Sequence, residues 1–195
     1  MKHACLITAT LLLAACGNGA DKTDGSAPPE DGTATGTMAQ PVEQTPPAGT
    51  PATPTDAASY IAKAGAGDLW EIESSKALLA KSGNADVKKF AQMMIDNHGK
   101  STAKVKAAAG AAGVEAAPPK LDTDQQKMLD EIKAADAAGI DAVYLRHQRT
   151  AHDAALALHS AYATNGDTDA LKKAASEIVP VVEAHRTELD KLAAR

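Results

Sequence analysis

From Asp56 to Arg195 the chain never alternates apolar and polar residues as a strand does; alanine, lysine, glutamate and leucine recur there at helical spacing. That pattern points to an all-α fold. The first helix is expected from Asp56 to Ser82, ended by Gly83 in a left-handed conformation. Asn84 then caps a second helix, Ala85 to about Ala112, with Asp86 near the positive end of its dipole. Gly113 closes that helix, and "VEAAPPK" is a stiff connector. Thr123 and Gln126 fit a capping box for a short helix over about Asp124 to Ala135. After Gly139 a long helix follows from Ile140 to about Thr164, and the turn "NGDTD" offers Asp167 or Thr168 as cap for a last helix toward Arg195. Pro180 lies inside that helix and predicts a kink. Four long helices, with one short extra helix between the second and third long ones, predict an up-down-up-down four-helix bundle.

The opening "MKHACLITATLLLAACGNG" has a lysine, an apolar run from Leu6 to Ala15 and then Cys16. The run is far shorter than the ~20 residues that cross a bilayer, so residues 1–15 read as a signal peptide. Small residues before a cysteine resemble the lipobox of bacterial lipoproteins, which implies that Cys16 is lipidated and becomes the first mature residue. Gly17, in place of aspartate, is the choice that in such lipoproteins goes with the outer membrane, facing the periplasm. Cys5 leaves with the signal, so the mature chain has no internal disulfide. Residues 16–55 hold seven of the ten prolines and almost no large apolar residue, which makes them a disordered tether. The folded domain is therefore 56–195.

Loss of residues 1–15 removes one lysine and no acid, taking the formal charge from −5 to −6. An acidic chain with one Trp, one Phe and no basic stripe excludes nucleic acid as the expected partner. The membrane, reached through the N-terminal lipid, is the partner the sequence specifies.

Placing residues by 100° steps puts His98 at the centre of the stripe Val87, Ala91, Met94, Ser101 and Val105 on the second helix. His185 lies within Leu171, Ile178, Val182, Leu189 and Leu192 on the last helix, while His147 shares the face of Tyr144 and Tyr162, and His152 and His159 lie on its flank. On the first helix Glu71 and Glu73 flank the apolar stripe, and Asp68 sits closer to its centre. If the first-second and third-fourth turns share one end of the bundle, Glu71, His98 and His152 fall in one layer, and His185 lies about one turn away, level with His147.

The stretches "WEIESSKALLAKSGNADVKKFAQMMIDNHGKS", "IDAVYLRHQRTAH" and "LKKAASEIVPVVEAHRTEL" resemble the bacterial domain of unknown function 4142 family, described as predicted outer membrane proteins with a ferritin-like bundle. The family elements fall on Glu71-Ile72-Glu73, on Asp96 to His98, on Asp141 and Tyr144 with His152 beyond, and on Pro180 with His185. Ile140, Val179 and Gly99 depart from the pattern. A di-iron carboxylate centre needs Glu-x-x-His on two helices, but Ile95 and Val182 stand three residues before His98 and His185. Two readings follow. In the favoured one the chain is a lipid-anchored, non-enzymatic envelope protein with a structural or interaction role, its histidines bonded to Tyr144, Glu71 or Asp141. In the alternative His98, His152, His185 and Glu71 hold one transition metal ion (Cu, Zn or Fe) for sequestration or redox work, with Tyr144 and Asp141 behind them.

Overall fold

The computed structural model describes residues 53–194; the signal peptide, Cys16 and all of the tether except residues 53–55 lie outside the described residues. Five helices form, α1 (Ala57–Leu79), α2 (Ala85–Ala111), α3 (Thr123–Ala134), α4 (Ile140–Asn165) and α5 (Asp169–Ala193), with no strand among the described residues. None of these helices is long and apolar enough to cross a membrane.

Local chemistry sets the boundaries. Asp56 accepts from the Ser59 amide and caps α1; Asn84 accepts from the amides of Asp86 and Val87 and caps α2. The α3 cap lies one residue earlier than expected: the capping box is Asp122 with Gln125, because the Asp122 carboxylate reaches the Gln125 amide at 2.8 Å. Gly83 does not end α1 in a left-handed turn. Ala80 is its C-cap, and among the described glycines only Gly113 has positive φ, at 69°. Of the two expected caps of α5, Thr168 takes the N-cap position without a side-chain cap hydrogen bond, and the cap is not Asp167. Its carboxylate accepts instead from Tyr162, Thr168 and the Ala57 amide, tying the α4–α5 turn to the start of α1.

That tie corrects the expected helix order. On α1 and α4 the contacts Tyr60–His159, Glu71–Gln148 and Ser75–Tyr144 step in opposite directions, so these helices are antiparallel. Asn97–His185 and Lys104–Glu177 make α2 antiparallel to α5, and Arg149–Asp190 with Arg186–Asp153 do the same for α4 and α5. Asp68 bonded to both His98 and Thr102 joins α1 to α2 across their short turn. In chain order α2 and α4 therefore run the same way, and the sequence is up, down, down, up. The segment between α2 and α4 is the crossover that makes this possible: Pro119 packs on α1 at Gly65, Leu121 joins the core, and α3 lies against α1 and α4 near the α1–α2 turn. One long crossover is the connectivity of ferritin-like bundles. The helix-rich connector is a return path along the bundle rather than an interruption between neighbouring antiparallel helices.

The core divides into two apolar clusters. One holds Trp70, Leu78, Phe90, Met94, Ile132, Ile140 and Leu189, the other Tyr60, Val105, Tyr162, Leu171, Ile178 and Val182. On each long helix a polar residue lies between them, and these residues form the site.

Candidate metal centre

Three buried histidines from three helices, His98 of α2, His152 of α4 and His185 of α5, bring one ring nitrogen each to within 4.8 Å of one another. Ring centroids are 5.9 Å apart for His98 and His152, 5.6 Å for His98 and His185, and 5.3 Å for His152 and His185. His185 joins the layer because α5 runs opposite to the direction assumed from up-down-up-down order. His152 is insensitive to that error, since it lies near the middle of α4. His147, level with His185 only under that assumption, stays outside the layer and pairs with Glu131 of α3 at 2.8 Å.

Each imidazole is held by its outer nitrogen. The Nδ1 of His98 bonds Asp68 at 2.8 Å, and the other Asp68 oxygen accepts from Thr102 at 2.9 Å. The Nδ1 of His152 donates to the Gln148 carbonyl at 2.9 Å and stands 3.3 Å from Glu71, whose carboxylate also accepts from the Gln148 amide at 2.6 Å. The Nε2 of His185 meets the Asn97 amide nitrogen at 2.9 Å. That leaves His98 Nε2, His152 Nε2 and His185 Nδ1 facing inward. The last two are 3.2 Å apart, and His98 Nε2 is buried without a hydrogen-bond partner.

Burial and charge pull the three rings apart in basicity. His185 is pushed down to about 3 by burial, with His98 and His152 adding to the effect. His152 is lowered mainly by burial, against the pull of Glu71. Burial alone would lower His98 too, but the Asp68 hydrogen bond and the charges of Glu71 and Asp68 raise it. Neutral imidazole is the form that binds metal, and two of the three rings are kept in it.

The remaining candidates sit around this cluster. Glu71 orients His152 from behind instead of joining the three converging nitrogens. Tyr144 bonds Ser75 at 2.8 Å and touches Phe90, which in turn packs on His152. One oxygen of Asp141 is buried and unpartnered. Asp68, Gln148 and Asn97 complete the surroundings of the three rings. Asp68 carried a signal, its position near the centre of the α1 stripe. Asn97 and Gln148 carried none beyond adjacency to a histidine and the heptad flank.

A family model described as "Domain of unknown function (DUF4142)" matches residues 42–192. The chain belongs to that family. No curated protein matches it. Among solved structures it is similar to the crystal structure of a DUF305 fragment from Deinococcus radiodurans, with a TM-score of 0.62 and 14% identity over 75% of this chain and 99% of that one. At that identity the likeness supports the helical fold alone.

Proposed function

We propose that this DUF4142 protein is an exported envelope protein, anchored through lipid on Cys16 to the outer membrane and facing the periplasm, whose bundle holds one transition metal ion without catalysing a reaction. His98, His152 and His185 are the ligands, and copper, zinc or iron is the ion, imidazole being suited to each. One observation carries the reading: three imidazoles from three helices converge while each outer nitrogen is bonded away from the centre. The unpartnered, buried His98 Nε2 fits this role, because a metal ion would satisfy an atom that the fold leaves unmatched. Outer partners of this kind fix ring orientation and raise ligand basicity in metal sites. Sequestration or electron transfer is the role such a closed, buried centre suits.

Elemental analysis of the chain purified without a histidine tag, followed by titration with copper and zinc, tests the site. One equivalent bound, with a rise in Tm, is expected; no bound metal and no thermal shift would overturn it. The anchor is tested separately. Cys16→Ser should move the protein from the membrane fraction to the soluble one, and retention in the membrane would remove the lipid from the account.

A further inference from the structure

The hydrogen bonds around the three histidines have a polarity, and it can be read atom by atom. The Gln148 carbonyl can only accept, so His152 carries its proton on Nδ1 and presents a lone pair at Nε2. The Asn97 amide nitrogen can only donate, so His185 Nε2 is the acceptor and its proton sits on Nδ1, directed at His152 Nε2 3.2 Å away. Asp68 accepts the hydrogen bond that His98 donates from Nδ1, so the neutral His98 ring presents its lone pair at Nε2. Two imidazoles thus already point lone pairs at the centre, and the third points an N–H. A His185-to-His152 hydrogen bond spans the centre.

We propose that Asn97 is the positioning residue that sets His185 for or against metal, its amide turning over when the ion enters. This rests on the metal reading above. Binding at His185 Nδ1 requires that nitrogen to lose its proton and Nε2 to gain one, so the ring stays neutral and no net proton is released from it. A protonated Nε2 needs an acceptor. Rotation of the Asn97 side chain by half a turn exchanges its NH₂ for its oxygen at the same place and supplies one. His98 and His152 need no such change. Asn97 is free to turn because it is only half-buried: it lines the groove between α2 and α5 together with Phe90, Met93, Pro180 and His185, where solvent can take up the amide hydrogens.

The test uses zinc alone, which is diamagnetic, on the ¹⁵N-histidine-labelled chain without a tag, at about pH 8. Long-range ¹H–¹⁵N spectra should place the His185 proton on Nδ1 without zinc and on Nε2 with one equivalent bound. Asn97→Asp, which offers only oxygens, should place it on Nε2 before any zinc is added and tighten zinc binding ~10-fold. Asn97→Leu, which offers nothing, should weaken it by ~10–100-fold, the range for loss of an outer partner. Asp and Leu variants of equal zinc affinity would overturn the role of Asn97 while leaving the metal site standing, whereas zinc bound at one equivalent with the His185 proton still on Nδ1 would remove His185 from the ligands and the role of Asn97 with it. Failure of the wild-type chain to bind zinc at all, with copper and iron equally inert, would remove the site and this role together.

Discussion

Two histidines on α4, His152 and His159, are seven residues apart, both buried, and sit in opposite kinds of surroundings. His159 accepts or donates a single hydrogen bond at 3.0 Å with Tyr60, whose ring stacks on Tyr162 at 3.9 Å between centroids, and Tyr162 in turn donates to Asp167. That cluster has one imidazole, phenols with no second imidazole facing them, and a carboxylate at its edge. His152 lies in a layer of three imidazoles braced from outside by Asp68, Glu71, Gln148 and Asn97. The difference teaches what separates a polar core from a site. A structural histidine is satisfied by groups that have no further use for it, whereas the proposed ligand set is over-supplied on its outer side, with His98 Nε2 unmatched on its inner one.

The widest gap between the two is expected in metal affinity. His152→Gln removes an inward lone pair and should lower affinity for copper or zinc by at least ~100-fold, beyond the ~10–100-fold that outer partners are worth. His159→Gln, two turns away, should leave affinity within about twofold. Titration monitored by calorimetry compares them directly. Equal losses in both variants would mean that the two clusters do not differ in kind. Asp68→Asn is the intermediate case: the amide oxygen can still accept from His98 Nδ1, but the charge is gone, and ~10-fold weaker binding is expected.

Stability against pH sharpens the comparison from the other side. Burial holds His159 at about 4, with opposition from the Asp68 charge. Above its ordinary value of 6.5 the folded and unfolded chains both hold it neutral. As pH falls from 6.5 to about 4 the unfolded chain gains a proton that the folded one refuses, so stability is lost across that window. By pH 4 the loss is of order 2–3 kcal/mol. His185 acts in the same sense but over a window reaching lower, and His98, raised by Asp68, acts in the opposite sense. The wild-type slope is therefore a sum, and the difference between wild type and His159→Gln isolates one contribution. Urea unfolding at a series of pH values measures it. Parallel curves for the two chains would contradict the buried, neutral state of His159.

The same comparison shows what the sequence could disclose. Helical periodicity placed His98 and His185 on buried stripes, and capping chemistry found Asn84 and the ends of the long helices within a few residues. Both signals are local. The chain direction of α4 is not local, since it depends on where the connector after Ala112 comes to rest, and Pro118-Pro119 says only that the connector is stiff. Assigning the opposite direction put His147 level with His185, although the fold sends His147 to Glu131. The outer partners were hidden for a related reason. A wheel position says that Asp68 faces inward; it does not say that the residue opposite is His98, and nothing about Asn97 marks it until the ring it meets is known.

Two glycines give the smallest effects and opposite signs. Gly166, the C-cap of α4, lies against Tyr162: a Cβ there would stand 2.6 Å from the ring and 2.7 Å from the Tyr162 carbonyl, so ring and backbone would both have to shift. Its φ of −62° is ordinary, and the need for glycine is purely steric. Gly166→Ala should cost about 1–3 kcal/mol as overpacking does, and should disturb the Tyr60–Tyr162 stack while leaving metal affinity unchanged. Gly99, one residue after His98, is exposed within α2 and meets nothing within 4 Å at its Cβ position. Close packing therefore does not explain it, and Gly99→Ala should stabilise the bundle by about 0.5–1 kcal/mol through helix propensity alone. Its informative readout is metal affinity. A glycine beside a proposed ligand softens the turn that carries His98, and stiffening that turn costs nothing if the ring is already set by Asp68. Unchanged affinity in Gly99→Ala would place the preorganisation of His98 in its hydrogen bond to α1; a fall in affinity would place it in the flexibility of α2, and His98 would then have to move to meet the ion.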